Sequence, residues 1–314
     1  MKNIVNNKLQ DAKPKLSIIM SAYNADKYIE ESIRSILDQS YKNFEFIIVN
    51  DGSNDRTLEI IESFGIADRR IKIINQENKG LTKTLIESVA ISNGDYIARM
   101  DADDVSNINR LSAQINYLES NRSVGMLGTW INVIDSSNKV TKTVKLPSRS
   151  TTIKRRMQYG NQFVHGSVMF RKDIYEAVGG YDESFKFSQD YDLWLRMIKI
   201  TDCINITKCL YYLRVHENSI SITNNQLQLE HAVRCITKNI YGKKDLSNTD
   251  DQIINTVSAR LLLRRGEYHK ARAFYYKMRN IEGILMSNIL KHTKITALVK
   301  RGYVAIRSLL DSNN

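Results

Sequence analysis

"KLSIIMSAYNADKYIEESIRSILDQSYKNFEFIIVNDGS" (residues 15–53) decides the fold. Its two ends, 15–23 and 44–53, hold apolar runs of strand length. Between them Ile29, Ile33, Ile36 and Leu37 share one helical face, which predicts a helix over 26–38 with Asp26 as its N-cap. The pattern then repeats. A helix is expected around 55–64, a strand at "IKIIN" (71–75), a helix marked by Leu81, Leu85, Ile86 and Val89, and a strand at "DYIARM" (95–100). Strands alternating with helices of this length imply an α/β fold with a parallel, doubly wound sheet covered on both faces. Ligands of such sheets bind outside the carboxyl ends of the strands. Three of those ends carry polar clusters, Ser21 to Asn24, Asn50 to Ser53 and Asp101 to Asp104, and they are expected to share one rim.

Residues 105–220 mix strands ("VGMLGTWINVID", "HGSVMFRK", "LYYLRVH") with a helix at 190–200. From about 225 the chain reads as all helix. Within it, 259–278 has the character of a single tetratricopeptide-like unit, and 294–310 is a basic amphipathic helix candidate. The expected organisation is an extension at 1–14, an α/β domain at 15–222 and a basic helical C-terminal region at 223–314.

The 314 residues are 42% apolar and 25% charged, as in an ordinary globular protein. Cys203, Cys209 and Cys235 are odd in number and lack metal-site spacing, which suits a reducing compartment. The N-terminal "MKNIVNNKLQDAKPK" lacks the apolar stretch of a signal peptide, and no run reaches membrane-spanning length. The net charge of +12 implies an anionic partner. From Asp251 onward twelve Lys or Arg face four acids, so the excess is concentrated at the end.

Asp101 and Asp103 are two residues apart, so in extended backbone both face one side. Carboxylates held that close favour a hard divalent cation, Mg²⁺ or Mn²⁺, that also takes substrate phosphate oxygens. A solvated acidic turn is the plainer reading of the same spacing, with Asp104 capping the next helix. Asp51, at a strand end before Gly52, reads either as a turn aspartate or as an acceptor for the ring N–H of a bound base. Asp190 and Asp192 open a helix, where the macrodipole stabilises acids. One can cap it, and one in a pocket can act as a general base toward a sugar hydroxyl. His216 follows a strand and is either structural or a third metal ligand.

The order of these blocks closely resembles family 2 glycosyltransferases. "LSIIMSAYNADKYIEESIRSILDQSYKNFEFIIVNDGSNDRTLEII", "NKGLTKTLI", "GDYIARMDADD" and "VHGSVMFRKDIYEAVGGYDESFKFSQDYDLWLRM" carry the likeness, over residues 15 to about 220. The resemblance implies a glycosyltransferase A-type fold, a Rossmann-like nucleotide-binding mixed sheet followed here by a helical C-terminal region. It implies metal-dependent, inverting transfer from a nucleotide sugar, most often a UDP-sugar. By position it implies Ser21, Tyr23, Asp51, Lys83 and Asp101 for donor binding and Asp190 as catalytic base. Asp103 is the implied direct metal ligand, with Asp101 shared between metal and donor and His216 as a further ligand. Asn50 and Gln189 stand where the family more often has Asp and Glu.

The chain lacks the Gln-x-x-Arg-Trp motif and the membrane helices of processive synthases, so single-sugar transfer is expected. Similar bacterial enzymes build capsule, O-antigen or other surface glycans on lipid-diphosphate carriers at the cytoplasmic membrane face. A basic C-terminal helix suits peripheral contact with anionic lipid there, and packing of 225–314 on the catalytic domain or dimerisation is the plainer alternative. The alternatives are a catalytically idle nucleotide-sugar-binding homologue, which should lack Asp190 or the D-x-D, and a nucleotidyltransferase, which should show a Gly-rich phosphate loop. Nucleic-acid binding has only the charge in its favour.

Overall fold

The computed structural model describes residues 15–217, 225–242 and 251–264. The expected unit at 259–278 lies largely outside them, and the amphipathic helix at 294–310 lies wholly outside. The chain forms two compact units, residues 1–248 and 249–314. In the second, the described residues form one helix, α9 (Asp251–Arg264).

The first unit follows the predicted alternation: β1 (Leu16–Ala22), α1 (Ile29–Leu37), β2 (Phe44–Asp51), α2 (Thr57–Ala67), β3 (Ile71–Gln76), α3 (Leu81–Ala90) and β4 (Tyr96–Asp101). After it come β5 (Val105–Ser106), α4 (Arg110–Ser120), β6 (Val124–Ile134), β7 (Val140–Val144) and α5 (Ser150–Met157). A 3-10 turn (His165–Ser167), β8 (Met169–Arg171), α6 (Lys172–Ala177), α7 (Gln189–Met197), β9 (Asp202–Arg214) and α8 (Asn225–Tyr241) complete the unit.

The sheet order is β3-β2-β1-β4-β8-β6-β9-β5, with β7 added on β6. Pairing from β3 to β4 is parallel, as the alternation requires. Beyond β4 the pairing changes, in keeping with the mixed sheet that the resemblance implies. β8 runs antiparallel to both β4 and β6, β9 is parallel to β6, and the sheet is mixed. All eight residues of β2 are buried, because helices cover both of its faces. Ile29, Ile33 and Ile36 of α1 are buried against the sheet with Ile18, Met20 and Ile48. α8 belongs to the first unit and packs on α7.

Candidate active site

The three polar strand ends do lie side by side. Ser21 of β1 is in register with Val49 of β2 on one side and Asp101 of β4 on the other. The loops after β1 and β2 are zipped together. Asn24 donates its N–H to Ser53 Oγ at 3.0 Å, Asn54 donates its N–H to Asn24 Oδ1 at 2.9 Å, and Ala25 donates to Thr57 Oγ1 at 2.7 Å. Asp26 is therefore no N-cap. α1 starts at Ile29, and Asp26 spends its N–H on Asp55 Oδ2 at 3.2 Å. Tyr23 stands half exposed at the rim, an aromatic face open to a planar ligand.

Asp51 is buried, and its carboxylate accepts three N–H groups: Gln76 Nε2 at 2.8 Å, Lys79 N at 2.9 Å and Gly80 N at 2.9 Å. It thus clasps the loop entering α3. A carboxylate has about four acceptor sites, so one remains for a ring N–H. Gly52 turns the chain beyond it with φ +78°, where a Cβ would strike the Asn78 backbone. Lys83, in the first turn of α3, has its Nζ 3.7 Å from Glu183 in the loop ahead of α7.

The crowded aspartates separate. Asp103 Oδ2 lies 2.9 Å from His216 Nε2. Arg214 sets this meeting: its N–H donates to Asp104 Oδ1 at 2.7 Å, its Nε to the Asp103 carbonyl at 2.7 Å, and its Nη2 to Glu31 Oε2 at 2.7 Å. With the end of β9 so pinned, His216 falls beside Asp103, and its ring packs on Tyr28 at 5.0 Å. Asp104 is buried and does not cap α4, because its carboxylate is turned to β9. Burial, and then the neighbouring Asp103 and Asp101, push its carboxyl well up.

Asp101 Oδ1 is held by Arg99 Nη2 at 2.5 Å. Arg99 is itself buried in β4, and its Nη1 donates to the Ile19 carbonyl at 2.8 Å. Its Nε points to His165 Nε2 at 3.3 Å, and that nitrogen also meets the Tyr181 hydroxyl at 2.8 Å. Burial, helped by Arg99, holds the His165 ring well below its ordinary pKa, so it is neutral. Gly166 follows in the 3-10 turn. A Cβ there would overlap the Tyr211 hydroxyl and come within 2.6 Å of Asp101 Oδ2.

The two acids opening α7 have different surroundings. Asp192 is fully buried and accepts Arg196 Nη2 at 2.7 Å, Lys238 Nζ at 3.1 Å and Asn239 Nδ2 at 2.8 Å, fastening α8 to α7. Asp190 instead accepts from Asn161 Nδ2 at 2.7 Å. Burial raises its carboxyl to about 6, against hydrogen bonds from the Tyr191 N–H and Asn161, and the charge of Asp101 adds to the rise. A carboxylate poised there can take a proton near neutral pH.

Comparison with known proteins gives the family. Residues 17–179 match the family described as Glycosyl transferase family 2. The chain belongs to this family. This glycosyltransferase is 36% identical to the O-antigen biosynthesis glycosyltransferase WbnJ of Escherichia coli, over 65% of this chain and 81% of WbnJ. Its fold matches Staphylococcus aureus TarS 1–349 in complex with UDP-GlcNAc, with a TM-score of 0.62 and 20% identity over 79% of this chain and 72% of that one. It also matches the mannosyltransferase PcManGT of Pyrobaculum calidifontis in complex with GDP-Man and Mn²⁺. There the TM-score is 0.60 and the identity 16%, over 94% of this chain and 84% of that one. The mixed α/β sheet is thus the glycosyltransferase A-type fold. The family assignment displaces nucleotidyl transfer.

Among the described residues, no group of three or more His, Cys, Asp or Glu side chains is gathered to hold a metal. Asp103 and His216 come together, while Asp101 is tied to Arg99 through one oxygen. One carboxylate and one imidazole still fit a Mn²⁺ or Mg²⁺ that completes its shell with water and donor phosphate.

Arg99, His165, Tyr181, Asn161 and Arg214 escaped the sequence reading. Arg99 had a signal, a charge inside an apolar strand run, since an arginine is seldom buried unpaired. The others find their partners only through tertiary contact.

Proposed function

We propose that this glycosyltransferase moves one sugar from a UDP-sugar to a hydroxyl of a glycan or lipid-diphosphate-linked acceptor, with inversion. The observation that carries the reading is Asp190, a half-buried carboxylate at the start of α7 that is held by Asn161 at 2.7 Å and raised to about 6. Ser21, Tyr23, Asp51 and Asp101 line the donor rim, and Lys83 flanks it. Asp190 accepts the proton of the acceptor hydroxyl as that oxygen attacks the anomeric carbon from the face opposite the nucleotide. No protein nucleophile is needed. Asp103 and His216, with Asp101 nearby, would hold a Mn²⁺ or Mg²⁺ ion. Such an ion supplies neutralisation of the charge developing on the leaving diphosphate.

The acceptor belongs to bacterial surface-glycan synthesis, capsule or O-antigen, in keeping with the likeness to WbnJ. The protein works as a peripheral protein at the cytoplasmic membrane face. Its charge of +12 favours anionic lipid, and among the described residues no helix is long and apolar enough to cross a membrane. A panel of nucleotide sugars, screened for slow hydrolysis and thermal stabilisation with Mn²⁺ and with chelator, tests the reading. Stabilisation by a UDP-sugar that chelation removes is the expected result. A response to no UDP-sugar overturns the donor class.

A further inference from the structure

Arg99 and Tyr181, both buried, and the partly buried His165 form a chain that none of the assigned roles explains. An arginine Nε can only donate, so the His165 Nε2 that it meets at 3.3 Å carries a lone pair. The Tyr181 hydroxyl, 2.8 Å from the same nitrogen, is then the donor in that contact. The proton of the neutral imidazole resides on Nδ1. That nitrogen's single lone pair is thus shared between two donors. It orients Arg99, whose far nitrogen grips Asp101 at 2.5 Å, and it anchors Tyr181 in the loop that leads to Asp190.

The geometry points to Arg99, His165 and Tyr181 as positioning residues that hold the donor-side carboxylate of Asp101 in a single orientation and tie it to the loop ahead of the base. This rests on the reading of Asp101 as a donor contact. Arg99 is suited to the task because its planar fork reaches four partners: the carbonyls of Ile19 and Met100, His165 and Asp101. Lysine has no such reach. Gly166 lies against Asp101 Oδ2, so that any side chain there would press on the carboxylate.

Two measurements test the chain. Nitrogen NMR of histidine-labelled protein needs no ligand. A proton on Nδ1 of His165 is expected, and a proton on Nε2 overturns the relay, because Arg99 then has no acceptor. Second, nucleotide affinity with Mn²⁺ is compared among wild type, His165→Gln and His165→Leu. The probe is whichever of UDP, GDP, dTDP and CMP raises the wild-type melting temperature most. Glutamine offers a carbonyl in place of Nε2, so its affinity stays within about threefold, while leucine loses about tenfold or more, the scale of one lost charge-assisted hydrogen bond. Equal affinity in all three proteins, or equal loss in both variants, refutes the positioning role; packing alone predicts the latter. Asp190→Asn is carried alongside. If it turns over normally, the base assignment fails while the relay still stands.

Discussion

Asn161 Nδ2 donates to Asp190 Oδ2 at 2.7 Å, and this is the side-chain bond that steadies the charged form of a carboxyl that burial pushes toward neutrality. The base is therefore balanced between two opposing effects, with burial the larger.

That balance sets a pH dependence. Transfer requires the carboxylate, so the rate is low below the pKa of about 6 and rises as pH passes upward through it. Asn161→Leu removes a bond that favours the charged form, so the acid limb moves to higher pH. A pH–rate profile for both proteins checks this, and an unmoved limb in Asn161→Leu would dissociate the limb from Asp190.

The same raised pKa costs stability. A carboxyl at about 6 in the native state and 3.8 unfolded binds its proton more tightly when folded. The penalty is absent below the unfolded value, grows between the two and is complete above the folded one. Asp190→Asn is thus expected to be the more stable protein at pH 8, by at most about 3 kcal/mol, with the gain gone near pH 3.5. Urea unfolding at the two pH values measures it.

Asp192 has the opposite role. It is fully buried between Arg196, Lys238 and Asn239. Asp192→Ala strands buried charge and should cost about 3–5 kcal/mol of unfolding free energy, read from the shift in denaturant midpoint. Nucleotide affinity of the folded fraction should not change.

Gly166 leaves the space beside Asp101 that a side chain would fill. A methyl group there meets the Tyr211 hydroxyl and Asp101 Oδ2. Gly166→Ala is expected to lower turnover about 100-fold through misplacement of the carboxylate, with circular dichroism unchanged. Near-normal turnover would mean that Asp101 needs no fixed position.

How much of this the sequence foretold follows from the range of the forces involved. β1 to β4 and the helices between them were legible because their apolar periodicity is local and clean. Capping by Asp26 and Asp104 was misjudged because their partners, Asp55 and Arg214, lie far along the chain. "HGSVMFRK" suggested a full strand. Only Met169–Arg171 pairs as β8, because His165–Ser167 turn to bring Gly166 against Asp101. The resemblance already pointed to Asp190 as the base, whereas the fastening role of Asp192 depends on Lys238 and Asn239 of α8, which no local pattern links to it.

The metal position gives a separate test. In Asp103→Ala or His216→Ala, Mn²⁺ should add little to nucleotide stabilisation, whereas chelation should strip it from the wild type. Undiminished Mn²⁺-dependent affinity in Asp103→Ala would place the ion elsewhere.

The most direct test of the whole account is Asp190→Asn, assayed for sugar transfer and for UDP-sugar binding on the same preparation. Turnover is expected to fall by about 1,000-fold or more while donor affinity is kept. Turnover near the wild-type value would contradict it.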